Sequence, residues 1–231
     1  MSDQPDPALD FSTVIASTVH DMKNSLALLM QAYTASIEQM PPELSDTREH
    51  GIIEYESLRL NGMLVQMLGL YKLGVNQLPL RPTWLDVEDF LESQLARHDD
   101  ILRARHIEGS YEVEVDGMMG YFDPELVGSV VANVINNSIR YTRSAIHLEA
   151  VMDGEQLCIA ISDDGQGYPP AMIEKQSDYV LGIDMSTGST GLGLYFGERI
   201  ARLHQRNGIS GHIELTNDSR LGGGEFRIWL P

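Results

Sequence analysis

Residues 131–142 read VANVINNSIRYT. Apolar residues at 126–135 run right up to a polar pair, Asn133 and Asn137, four positions apart. That spacing places both carboxamides on one face of a helix predicted over 124–141. Asparagine is a poor choice inside a helix, because its side chain competes for backbone hydrogen bonds. The pair makes sense if its oxygens meet a metal ion and a phosphate, with Arg140 and Tyr141 offering a cation and a hydroxyl to the same anion. A polar surface with accidental spacing is the bland alternative, weakened by the apolar run that leads into the pair.

Two glycine-bearing segments lie downstream. Residues 161–169 read ISDDGQGYP, a strand that ends in Asp163 with Gly165 and Gly167 close behind. A carboxylate there can accept from an amino group such as that of adenine, and glycines let backbone approach a ring closely. A tight Asp-Gly turn is the simpler alternative. Residues 186–204, STGSTGLGLYFGERIARLH, lead from small residues through Gly191 and Gly193 into a helix predicted over 191–204. Backbone N–H groups at such a helix start form a phosphate cradle; a flexible loop with a helix cap is the competing reading.

The flanking patterns give an α+β sandwich. Residues 86–104 read as an amphipathic helix and 110–115 alternate like a strand. Residues 145–151 and 156–162 form a predicted β-hairpin around Asp153-Gly154, and 211–216 and 225–230 are strand-like. The stretch Pro79 to Pro82 marks a domain boundary. Upstream, the period is helical. Phe11, Ile15, Met22, Leu26, Leu29, Tyr33, Ile37 and Met40 make one apolar stripe. Ile53, Leu60, Leu64, Met67 and Tyr71 make a second, after a break at Pro41-Pro42 and an Asp46/Glu49 capping box. A lone hairpin cannot cover both sides of its stripes, so a homodimer closing a four-helix bundle is expected. The boundaries read as a flexible tail at 1–10, a helical domain at 11–78 and an α/β sandwich at 79–231.

His20 stands well over 90° from the first stripe at about 100° per residue, so it faces outward. Asn24 lies one turn later on the same face, and Asp21 sits beside the ring. A neutral imidazole flanked by a carboxylate can act as a nucleophile. From that segment alone, an idle surface histidine is the better reading.

Composition bounds these readings. The chain has 231 residues, with 16 Lys and Arg against 34 Asp and Glu, a formal charge of −18. So acidic a surface argues against nucleic-acid binding. No run approaches the length of a membrane span, and the acidic, Pro-containing first residues do not read as a signal peptide. The single Cys158 cannot form an intrachain disulfide and reads as an inert buried thiol, which points to the cytoplasm. The 11 Met fall mostly at core spacing. The remaining histidines lack metal-ligand spacing.

Taken in order, HDMKNSL (20–26), VANVINNSIRYT, DDGQG (163–167), GSTGLGL (188–194) and the tail GHIELTNDSRLGGGEFRIWLP resemble the sensor histidine kinases of two-component systems, from about residue 11 to 231. The resemblance implies a dimerisation and phosphotransfer hairpin followed by an ATP-binding domain of the Bergerat, or GHKL, type. It implies that His20 takes the γ-phosphate of ATP, that Asp21 is the general base, and that Asn24 positions water for dephosphorylating a response regulator. It further implies that Asn137 binds Mg2+, Asn133 supports the phosphates, and Arg140 and Tyr141 contact the triphosphate. Asp163 would read the adenine amino group, with Gly165 and Gly167 shaping the pocket and Gly191 and Gly193 lining the phosphate side. The implied partner is a response regulator receiver domain. With 19 residues ahead of His20, no sensor domain is expected in this chain, and a separate protein would control it.

Some positions depart from the family pattern. Ser25 replaces the usual Pro, and Ser189 the usual first Gly of the second glycine box. The lid, roughly 168–188, has no Phe and one cation, Lys175, with Tyr179 as a substitute aromatic. Two rival readings stand beside the kinase: a catalytically weak phosphotransfer or scaffold protein that keeps the fold, and a serine kinase or ATPase of the same ATP fold, which leaves the His20 face without a role.

Overall fold

The computed structural model describes residues 11–37, 39–41, 48–174 and 191–231. Its contacts divide the chain into two compact units, Met1–Leu78 and Pro79–Pro231. Among the described residues, no helix is long and apolar enough to cross a membrane.

The first unit is a pair of packed helices, α1 (Phe11–Ile37) and α2 (Arg48–Gly74), each of 27 residues. Along α1 the covered positions are Ala16, Val19, Lys23, Leu26, Met30, Tyr33 and Ile37, alternating by three and four. That is the spacing of a single helix–helix seam. Tyr33 meets His50 edge-on across the two helices, with ring centroids 5.9 Å apart. The stripe expected from the sequence therefore splits. Leu26, Tyr33 and Ile37 belong to this seam, whereas Ile15, Met22 and Leu29 are exposed, Met22 to 54% and Leu29 to 58%. On α2, Leu64 is buried and Tyr71 half-buried, but Ile53, Leu60 and Met67 are exposed. Two helices share one seam, so a stripe broader than a seam leaves a second apolar row. Here that row recurs at seven-residue intervals on both helices. Met40 is exposed beyond the end of α1, the Phe11 side chain and the Asp46 cap lie outside the described residues, and α2 is seen from Arg48.

The second unit has the elements β1 (Thr83–Asp86), α3 (Val87–Ala96), α4 (Asp99–Ala104), β2 (Glu108–Val113), β3 (Met119–Phe122), α5 (Pro124–Tyr141), β4 (Ala145–Asp153), β5 (Gln156–Asp163), α6 (Pro170–Glu174), α7 (Leu192–Leu203), β6 (Gln205–Arg206), β7 (Ile209–Ser210), β8 (His212–Thr216) and β9 (Glu225–Leu230). Five strands form one sheet in the order β2-β4-β5-β9-β8. β2 runs parallel to β4, and the other pairs are antiparallel. The register aligns Leu148 with Ile161, Ile161 with Phe226 and Phe226 with Leu215, all buried. With Ile146, Ile159, Ile213 and Ile228 they make the apolar face of the sheet. The helices supply the second layer, through Phe90 and Leu91 of α3, Val127, Val131, Val134 and Ile135 of α5, and Phe196 and Ile200 of α7. Each such large side chain contributes about 1.5–3 kcal/mol when fully buried.

Caps account for where the helices begin. Asp86 accepts from the N–H groups of Glu88 and Asp89 at the start of α3. Asp123 accepts from Glu125 and Leu126 at the start of α5, where Pro124 occupies a position that needs no donor. The helix expected over 86–104 is two helices. The chain bends at Arg97 and His98, where buried His98 donates Nδ1–H to the Gln94 carbonyl at 2.7 Å. The strand expected at 110–115 lies at 108–113. The ribbon β1–β3 and the hairpin β6–β7 were not anticipated. The hairpin turns at Asn207-Gly208, both at positive φ, a pairing that favours tight hairpins. Its Arg206 guanidinium lies 5.3 Å from the Trp84 ring and 5.5 Å from that of Tyr121, joining hairpin to ribbon.

Asp164 ties α5 to the sheet. Its carboxylate accepts from the hydroxyls of Thr142 and Ser144 and from the N–H groups of Arg143 and Ser144. Burial pushes its carboxyl up, but these donors outweigh burial and hold it well below the usual carboxylate range. Asp164→Ala should cost about 1.5–3 kcal/mol in urea unfolding, because hydrogen bonds to a charged group are lost. A change below 0.5 kcal/mol, about the scatter of neutral surface substitutions, would refute this anchoring role.

Candidate functional site

The site forms where β5, α5, α7 and the β8–β9 loop converge. Asp163 ends β5 and is buried. Its Oδ1 accepts from the N–H of Gly165 at 2.9 Å and of Gly224 at 3.4 Å, and its Oδ2 from the Ser138 hydroxyl at 3.2 Å. The Asp163 N–H in turn donates to the Gly224 carbonyl at 3.0 Å. One carboxylate thus gathers a helix, a turn and a strand entry.

The glycines record how closely the backbones approach. A Cβ at Gly165 would sit 2.5 Å from the Tyr141 carbonyl oxygen, and one at Gly193 2.5 Å from Asn133 Nδ2. A Cβ at Gly223 would collide with the Asp163 carbonyl. Gly167 has φ of 77°, a conformation costly for other residues, and packs against the Asn217 carboxamide. That carboxamide receives the Tyr168 N–H at 2.7 Å and donates to the Tyr168 carbonyl at 2.9 Å. Gly191, at φ of 63°, opens α7. The N-terminal end of α7 carries the positive end of its dipole, and Gly193 sets it against Asn133.

Of the residues singled out in the sequence, Asp163 lies against Gly165, Gly193 against Asn133, and Gly167 against Asn217. Asn137, Arg140 and Tyr141 stand exposed on α5, with the Arg140 guanidinium 5.5 Å from the Tyr141 ring centroid. Lys175, Tyr179 and Ser189 lie outside the described residues. Sequence reasoning missed Ser138, Asn217, Gly223 and Gly224. The run Gly222-Gly223-Gly224 just before the last strand was the available signal. Ser138 had a fainter one, a hydroxyl on the apolar face of α5. Among the described residues, no group of three His, Cys, Asp or Glu side chains could hold a metal ion.

The first unit carries a second cluster. The His20 side chain is 62% exposed, and its Nδ1 lies 3.5 Å from Asp21 Oδ1 and 3.3 Å from Asn24 Nδ2. The two contacts suit different tautomers. A protonated Nδ1 donates to Asp21 and leaves a lone pair on Nε2, whereas an unprotonated Nδ1 accepts from Asn24.

Comparison with known proteins agrees with this geometry. The model of the Histidine kinase-, DNA gyrase B-, and HSP90-like ATPase family matches residues 122–231. Sensor histidine kinase CssS of Bacillus subtilis is 26% identical over 235 residues, covering 95% of this chain and 46% of that protein. Sensor histidine kinase CpxA of Escherichia coli is 25% identical over 230 residues, covering 94% of this chain and 46% of that protein. The chain thus spans about half the length of the curated relatives it matches. Among solved structures, Acinetobacter baumannii histidine kinase AdeS superposes with a TM-score of 0.55 at 18% identity, covering 91% of this chain and 96% of that one. Full-length ShkA in complex with AMPPNP superposes with a TM-score of 0.60 at 18% identity, covering 90% of this chain and 46% of that one. Residues 122–231 thus match the histidine kinase-, DNA gyrase B- and HSP90-like ATPase family, and the chain is similar along 94–95% of its length to sensor histidine kinases.

Proposed function

We propose that this chain transfers the γ-phosphoryl group of Mg-ATP to His20 and then to an aspartate of a response regulator. The observation that carries the reading is the convergence of glycine backbone on buried Asp163, together with an exposed His20 that has a carboxylate and a carboxamide at its ring. Asp163 offers an acceptor for the adenine amino group. Asn133, the N-terminus of α7, Arg140 and Tyr141 supply polar and positive groups for the phosphates. Gly165, Gly193 and Gly223 let the backbone close on Tyr141, Asn133 and Asp163, which sets these groups side by side. Asn137 is a neutral oxygen donor suited to a Mg2+ ion that takes its remaining oxygens from phosphates and water. When bound, the ion neutralises charge on the triphosphate.

In the transfer, a bond forms between the imidazole nitrogen and phosphorus while the bond from phosphorus to the β,γ-bridging oxygen breaks, and ADP leaves. Asp21 holds Nδ1–H, which directs the lone pair of Nε2 outward, and it receives the proton as the ring acquires charge. The protein's part is positioning and charge neutralisation. Asn24 can orient a water that attacks the phosphorus of the regulator's aspartyl phosphate, breaking the bond to the aspartyl oxygen and releasing inorganic phosphate. The second apolar rows of α1 and α2 support a homodimer, since two copies together would close a four-helix bundle.

Incubation with γ-labelled ATP should give an acid-labile label that is absent in both His20→Gln and Asp163→Asn. Calorimetry should show Mg-ADP binding kept in the first variant and weakened at least about tenfold in the second. Label at the wild-type level in His20→Gln would refute the acceptor assignment. Leu29→Glu should shift the protein from dimer to monomer in analytical ultracentrifugation, and an unchanged sedimentation coefficient would refute the bundle. Asn24→Ala should slow dephosphorylation of the regulator by about tenfold to a hundredfold, within the range for loss of a group that assists proton transfer. An unchanged rate would remove the phosphatase role.

A further inference from the structure

The loop between β8 and β9, residues 217–224, closes against Asp163 through Gly223 and Gly224, yet it is also tied to the far edge of the sheet. Its start is bound to Tyr168 through Asn217, and its end to Asp163 through Gly223 and Gly224. Between them the chain turns tightly, with the Gly222 N–H on the Ser219 carbonyl at 3.0 Å and the Ser219 hydroxyl on that of Gly223 at 3.2 Å. Arg220 leaves this turn towards β2 and β4. Its Nη1 donates to Glu112 Oε2 at 2.9 Å and to His147 Nε2 at 3.0 Å.

The second contact constrains the histidine. A guanidinium only donates, so His147 Nε2 must present a lone pair, and the ring proton sits on Nδ1. From there it reaches the Ser110 hydroxyl at 2.8 Å. His147 is buried, facing Ser162 across the β4–β5 ladder. The charged groups around it are Arg220 from the loop, Glu112 from β2, Glu149 on its own strand and Glu225 from β9. Burial and then Arg220 favour the neutral ring, and the three carboxylates oppose them without prevailing. A second ring proton would set two donors and two like charges against each other at the Arg220 contact.

We propose that Arg220 is a positioning residue for the nucleotide site, holding the Gly223–Gly224 segment against Asp163 through Glu112 and His147 only while His147 is uncharged. The proposal rests on the nucleotide-binding reading above and adds a pH-sensitive clamp to that site. Among the described residues, Arg220 makes its polar contacts with Glu112 and His147 and none with Asp163 or α5, so its effect is indirect. The partial exposure of Arg220 and Glu112 keeps that effect modest and sensitive to salt.

The test is calorimetric titration of the full chain with Mg-ADP at about pH 7.5 and about pH 5.0, the acid point set well below the ordinary histidine value because burial and Arg220 lower that of His147. Wild type should lose affinity on acidification by about threefold to tenfold more than His147→Gln, which keeps an acceptor for Arg220 but does not titrate and so carries the protonation of ADP itself. Arg220→Met should bind about threefold to tenfold more weakly than wild type at the higher pH, with no greater loss on acidification than His147→Gln. If Arg220→Met binds as wild type at both pH values, or His147→Gln keeps the wild-type pH dependence, the clamp is overturned while nucleotide binding stands. A wild type that binds no Mg-ADP overturns the nucleotide reading and the clamp with it.

Discussion

The second unit depends on one buried carboxylate. Asp163 accepts from Ser138, Gly165 and Gly224, and so joins α5, the turn after β5 and the entrance to β9. A buried charge without partners is costly, and removing one partner leaves the penalty behind. The elements that supply those donors are therefore held in place together. The neighbouring Asp164 looks outward and binds the 142–144 turn instead. Two adjacent acids thus bind different neighbours, Asp163 the buried groups of α5, the 165 turn and β9, and Asp164 the turn that follows α5.

Closeness is the second constraint. Backbone meets backbone, or backbone meets carboxamide, at Gly165, Gly193 and Gly223 with no room for a methyl group. These contacts set α7 against α5 and bring the backbone of the 165 turn and the β8–β9 loop onto Tyr141 and Asp163. Main-chain donors are fixed in direction and cost no side-chain entropy to order. That suits recognition of a planar ring or a phosphate.

An overall charge of −18 sits awkwardly with a polyanionic substrate. For the proposed ATP, the answer would be local. Screening at physiological salt acts over about 8 Å, so distant carboxylates would matter less than Arg140 and the N-terminus of α7. Three acids on the sheet are already engaged with cations, Glu112 with Arg220, and both Glu214 and Glu225 with Arg227. The acidity still weighs against extended anions such as nucleic acids, which need a broad basic surface.

Sequence by itself determined what local spacing can encode. It placed α5 at 124–141, turned the β4–β5 hairpin at Asp153-Gly154, set His20 outward, and ordered the asparagine and glycine motifs. Each rests on a period of 3.6 or 2 or on a short turn signal, all readable within a few residues. Tertiary structure decided the rest. It assigned Leu26 and Tyr33 to the seam between the helices and Met22 and Leu29 to a second row, because a stripe does not say how many partners it has. It paired β2 in parallel with β4, and it brought Gly224 to Asp163 and Arg220 to His147 across 61 and 73 residues. Such contacts follow from how sheet and helices stack, and no local pattern carries the distance between residues that only the fold makes neighbours.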